Sequence, residues 1–168
     1  MNARTNIHLL LVLLVALWCG LIIAAPVLKS AGLEQASTAL YQFFHRICHQ
    51  LSERSFYLAG EKLAVCHRCT AIYGSFLAAS ILLLVVRKQT TNRPLSRRWL
   101  LLLVPMILDA MLNDLGFVHS TTTSRLLTGL LAGGVLPWFV VPTLVDAIQQ
   151  LRHSHLFFGE PTHVRKTQ

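Results

Sequence analysis

The sequence predicts an all-α integral membrane protein: a four-helix bundle with an extracytoplasmic interfacial helix and a Cys/His cap. Two observations lead there. Of 168 residues, 54% are hydrophobic and only 13% charged, with a mean hydropathy of +0.54, too apolar for an ordinary soluble domain. Four apolar runs are each long enough to cross a hydrocarbon core, and lipid leaves backbone polar groups no water partner, so each is expected to be a helix. The whole chain, residues 1–168, reads as one membrane domain.

The first run, residues 7–28, is read as a retained anchor rather than a cleaved leader. It exceeds the usual ~7–15-residue apolar region of a leader, and Pro26 directly after Ala24-Ala25 makes a poor processing site. The cap follows, residues 29–69. Between Leu33 and Leu51, Tyr41, Phe44, Cys48 and Leu51 recur at helical spacing on one face, with His45 and His49 one turn apart beside it, which predicts an interfacial helix. A polar turn at Ser52-Glu53-Arg54-Ser55 and a break at Gly60 bring the chain back to the membrane at Cys66. The remaining helices are expected at 70–86, 99–115 and 126–145. Gly129 and Gly133 form a Gly-x-x-x-Gly pattern for close packing in the last, and Pro137 and Pro142 bend its inner half.

Orientation follows from lysine and arginine. Arg87, Lys88, Arg93, Arg97 and Arg98 make the densest basic cluster and should be cytoplasmic. Arg4, Arg152, Arg165 and Lys166 agree, so the chain is expected to be a multi-pass protein of the cell membrane with both termini inside. The net charge of +8 and pI near 10.0 then reflect topology and contact with anionic lipid. No aromatic-interleaved basic patch, phosphate-binding glycine loop or His-Glu-x-x-His pair points to nucleic acid or to a familiar catalytic motif.

The chemistry concentrates in Cys48-His49 and Cys66-His67-Arg68-Cys69. Cys66, Cys69 and Tyr73 share one helical stripe, and the helix start with Arg68 favours thiolate. Three chemistries fit. Cys48, Cys66 and Cys69 with a histidine, His49 or else His45 or His67, make a tetrahedral zinc site. A Cys66–Cys69 redox pair with Cys48 as exchange thiol is the second. A passive disulfide with buried thiols is the third. Cys19, among apolar residues of the first helix, is read as a buried small hydrophobe.

A second group is polar and intramembrane. Asp109, about ten residues into the third helix and roughly 15 Å of rise from Trp99, is placed near mid-membrane, with Asn113 on its face and Asp114 turned away toward the outer interface. Arg125 is expected to pair with Asp109 or Asp114, with Thr128 a turn below. The alternative is that these residues are interhelical glue and Thr128 bonds its own helix.

Cys48-His49-Gln50, Glu53-Arg54-Ser55, Cys66-x-Arg68-Cys69-Thr70-x-Ile72-Tyr73, the Asp109 to Asn113 segment, and Ser120-Thr121 with Arg125 and Thr128-Gly129 resemble the small prokaryotic membrane proteins of domain of unknown function 2085. The likeness runs from Phe43 to Gly133 and departs at His67 and Thr122. It implies no activity. A looser, architectural similarity is to quinone-coupled disulfide-generating membrane proteins, although the loop after the third helix carries no second cysteine pair. The expected function is thus a zinc-type site of Cys48, His49, Cys66 and Cys69 over a polar pocket. Arg68, Tyr73, Asp109, Asn113, Asp114, Arg125 and Thr128 would line that pocket for a lipid head group, a quinone or another small molecule. The alternative is a quinone-coupled thiol–disulfide oxidoreductase using Cys66 and Cys69.

Overall fold

A computed structural model describes residues 3–86, 97–117 and 120–157, most of them helical. The helices are α1 (Ala3–Ser30), α2 (Glu34–His45), α3 (His67–Val86), α4 (Val104–Asp114), α5 (Thr122–Val135) and α6 (Pro137–Phe157). Two strands, β1 (Ser55–Leu58) and β2 (Glu61–Cys66), form an antiparallel hairpin between α2 and α3. Three stretches among the described residues are long and apolar enough to cross a membrane: Ala3–Ser30, His67–Val86 and Thr122–Leu151. Their outward faces suit lipid, since Leu10, Leu13, Leu14 and Leu17 of α1 are each more than half exposed.

Prolines decide where the later helices begin. The expected helix at 99–115 is a 3₁₀ segment, Arg97–Leu103, running into α4, with Pro105 in the first turn of α4. Pro105 has no N–H to donate backward, so an α-ladder cannot run through it, whereas a first helical turn needs no such donor. The expected helix at 126–145 begins earlier, at Thr122, because Thr121 caps it: the Thr121 hydroxyl oxygen accepts the Ser124 N–H at 3.2 Å. It is interrupted at Leu136, and Pro137 opens α6. The basic residues Arg87, Lys88 and Arg93, the tail residues Arg165 and Lys166, His119, and the side chains of Arg97, Asp114 and Arg152 lie outside the described residues.

The interfacial helix expected over 33–51 ends at His45. The hairpin that follows is a feature the periodicity does not announce. Its two-residue turn, Ala59-Gly60, has φ of 54° and 80°, the doubly left-handed geometry that matches strand twist. Gly60 suits that geometry, and Ala59 is an unusual occupant of it.

Two apolar clusters lie at opposite ends of the packed helices. At one end Ile22 and Ala25 of α1 pack with Phe44, Cys48, Ala64 and Val65, and Trp18 meets Phe44 and Tyr73 edge-on at 5.2 and 5.8 Å. At the other, Leu83, Val141 and Val145 gather Ile7, Leu11 and Trp138. There the His8 ring nitrogen Nε2 lies 3.0 Å from the Ser80 carbonyl, and Arg4 pairs with Asp146 at 3.4 Å. The start of α1, the end of α3 and the later turns of α6 therefore share one end, and the cysteines share the other. The most extensive interface is α3 against α5. Gly129 lies on Arg68 and Ala71, and Gly133 lies on Ile72 and Ser75, so the two helices run parallel with backbones nearly touching.

Candidate metal centre and polar cluster

Cys48, Cys66 and Cys69 meet. Their sulfurs all lie within 4.8 Å of one another, and none is in a disulfide. Each comes from a different local structure: Cys48 from the turn after α2, Cys66 from the last position of β2, Cys69 from the first turn of α3. Phe44 ties the first down, since its carbonyl accepts the Cys48 N–H at 3.0 Å. The Cys66 N–H donates to the Cys48 sulfur at 3.2 Å. Thiol hydrogen bonds from Cys48, then from Cys69, hold the Cys66 thiol well below its usual range, and the N–H groups of Cys69 and Arg68 at the helix start add to this against the opposing effect of burial.

The histidines stand apart. His49 is exposed and lies outside the three-sulfur group, because α2 ends before it and the helical spacing that would aim it inward no longer applies. His45 is likewise exposed. His67 is buried, its ring edge-on to Phe56 at 4.3 Å, and its Nδ1 has no hydrogen-bond partner among the described residues. Cys19 keeps its distance from the group, its thiol pointing to the Tyr73 carbonyl at 3.7 Å. Tyr73 packs on the apolar wall behind the cysteines.

Gln50 is the residue that holds the loop after α2 to this geometry, and no spacing rule singles it out. At a φ of 52°, its side-chain amide donates to the carbonyls of Tyr41 and Ala64 at 2.8 and 2.7 Å, while its own carbonyl accepts from Lys62 at 2.8 Å. Tyr41 in turn donates to the Lys62 carbonyl. Ser37 donates to the Ala25 carbonyl at 2.8 Å and moors α2 on α1. The loop, the hairpin and α2 are thus tied into one unit.

The polar residues converge nearby but pair differently from expectation. Asp109 forms its ion pair with Arg68, not with Arg125, and its second oxygen accepts the Ser124 hydroxyl at 3.1 Å. Since Arg68 is in the first turn of α3, Asp109 sits level with the cysteine end of that helix. Part of the reason is the 3₁₀ start, which rises faster per residue than an α-helix. Arg125 is buried and donates to the Ser120 hydroxyl at 3.0 Å and to the Asn113 side-chain carbonyl at 3.3 Å. Asn113 also accepts from the Ser120 hydroxyl at 3.1 Å. Thr128 donates to the Ser124 carbonyl of its own helix at 2.7 Å and takes no part in the cluster. Among the described residues the buried Nε of Arg68 has no hydrogen-bond partner.

The fold and this site define a helical membrane protein whose two-stranded hairpin delivers cysteines to the start of a membrane helix. The chain belongs to the family described as predicted membrane protein, domain of unknown function 2085, which matches residues 48–139. It is 32% identical over 114 residues to an uncharacterized protein of Methanocaldococcus jannaschii, covering 67% of this chain and 72% of that protein. It is 37% identical over 91 residues to an uncharacterized protein of Methanothermobacter thermautotrophicus, covering 54% of this chain and 80% of that one. No solved structure matches.

Proposed function

We propose that Cys48, Cys66 and Cys69 bind a metal ion, zinc, as a three-thiolate centre at the outer end of the bundle, beside a polar site built on Arg68, Asp109, Asn113 and Arg125. The observation that carries this is the mutual approach of three sulfurs to within 4.8 Å. Zinc–sulfur bonds of about 2.3 Å in a tetrahedron separate sulfurs by about 3.8 Å, so a small contraction completes the site. Among the described residues no histidine joins the three sulfurs, so in this proposal the fourth position is left to solvent or a ligand, the arrangement that distinguishes reactive zinc sites from closed structural ones. Purified protein should contain about one zinc per chain. Cys66→Ser or Cys69→Ser should abolish it and His49→Ala should leave it in place, as read by elemental analysis with a free-thiol count. Metal-free protein with an oxidised Cys66–Cys69 bond would overturn the metal centre in favour of the oxidoreductase reading, to which the depressed Cys66 thiol lends support.

The chain crosses the cell membrane four times in this proposal, with both termini cytoplasmic and lipid as its surroundings. The parallel course of α3 and α5 supports it: a chain leaving α3 at Val86 has to come back to the level of Arg68 before α5 begins. The Arg97–Asp114 segment is long enough. Its 7 residues of 3₁₀ and 11 of α-helix rise about 30 Å in total, the thickness of the hydrocarbon core. A single cysteine engineered at Gln89 should resist membrane-impermeant label in intact cells and react after permeabilisation. Labelling from outside would reverse the orientation.

A further inference from the structure

Among the described residues the polar cluster carries more positive charge than its carboxylates neutralise. Arg68 and Arg125 are brought side by side by the α3–α5 contact, since Gly129, one turn beyond Arg125, lies on the Arg68 carbonyl. The hairpin adds a third guanidinium: Ser55 pairs with Cys66, which places Arg54 opposite the Cys66–His67 junction. Arg54 and Arg68 both act repulsively on Arg125, while Asp109 and Cys66 attract it. Among the described residues the carboxylates in ion pairs with these three arginines are Asp109, on Arg68, and Glu53, an exposed sequence neighbour at the 4.0 Å limit from Arg54. An exposed pair at that distance neutralises little. Among the described residues the side-chain acceptors of Arg125 are neutral, Ser120 and Asn113.

Among the described residues two buried nitrogens at this place have no hydrogen-bond partner, Arg68 Nε and His67 Nδ1, and His67 is near enough to Arg125 to feel its charge. A buried charged donor without an acceptor is costly, and a bound anion supplies the acceptor together with the opposite charge. A quinone would supply acceptor oxygens but no charge. Guanidinium forks match the tetrahedral oxygens of phosphate, which supplies both.

We infer that Arg54, Arg68 and Arg125, with His67, form a receptor for a phosphate group beside the three-cysteine centre. This deepens the reading of the polar cluster as a binding site and does not depend on whether the cysteines hold metal. The phosphate could be carried by a lipid head group or be free in solution, and the test separates the two. Purified full-length protein in neutral detergent would be titrated at constant ionic strength with inorganic phosphate and, separately, with phosphatidic acid in mixed micelles, using phosphatidylcholine as the reference lipid. Thermal midpoint and apparent affinity would be read.

At least one phosphate probe should raise the midpoint. Response to both makes the phosphate group itself the determinant, and response to phosphatidic acid alone identifies a lipid source. Arg125→Gln should weaken binding by about tenfold or more, and the half-buried Arg54→Gln, which leaves the helix interface untouched, should also weaken it. Arg46→Gln, at the C-cap of α2 beside Gln42 and Lys62, should bind as wild type. No response to either probe, or an Arg54→Gln protein binding as tightly as wild type, would overturn the proposal. Zinc measured on the same preparations keeps the two claims apart: zinc without phosphate binding sinks this inference alone, and phosphate binding without zinc sinks the metal centre alone.

Discussion

Asp109→Ala should destabilise the folded protein by about 3–5 kcal/mol, the cost of leaving a buried guanidinium without its counter-charge. Both side chains of the Arg68–Asp109 pair are only 17% exposed, so water cannot take over the role of the carboxylate. The loss also frees the Ser124 hydroxyl that Asp109 accepts from, loosening the junction of α4 with α5. Denaturation by detergent titration, followed by helical circular dichroism, would measure it. The double replacement Arg68→Met with Asp109→Leu should recover most of the stability, because a buried pair of this kind is offset by its own desolvation cost and an apolar pair of similar volume packs as well. A single Asp109→Ala protein as stable as wild type would mean that the pair is solvated and contributes little.

Gly133→Leu should separate α3 from α5 and cost about 3 kcal/mol or more, at the upper end of overpacking effects. A Cβ at Gly133 would collide with the Ile72 carbonyl oxygen and the Ser75 hydroxyl, and one at Gly129 would stand 2.7 Å from the Arg68 carbonyl. Backbone atoms cannot swing away as side-chain ends do, so the helices themselves must part. Because Arg68 and Arg125 are aligned by this contact, the polar cluster should open with it. Gly134 is the internal control. Nothing lies within 4 Å of its would-be Cβ, so Gly134→Ala should be neutral or gain about 0.5–1 kcal/mol from helix propensity. Equal melting midpoints for the Gly133→Leu and Gly134→Ala proteins would contradict the close helix contact.

The sequence by itself determined the membrane character, the helical class, the close approach at Gly129 and Gly133, and the residues in which the chemistry gathers. These depend on local quantities: the length of an apolar run, the absence of water partners in lipid, and the spacing of cysteines about a helix start. Proline chemistry was also local, and Pro105 and Pro137 could have been read as helix starts rather than as residues within longer helices. Tertiary structure decided the partners. Period-based reasoning extended α2 to Leu51 and so put His49 beside Cys48, but the hydrogen bonds of Gln50 and the Ala59-Gly60 turn build a hairpin that leaves His49 exposed and carries Cys66 to Cys48. Asp109 had two arginines within reach, and it pairs with Arg68 because the glycines of α5 set that helix against the first turns of α3, where Arg125 meets Ser120 and Asn113 instead. A run of residues states which groups must leave water, but which of them then meet is fixed by long-range packing, where contacts distant in sequence compete on geometry that no single segment contains.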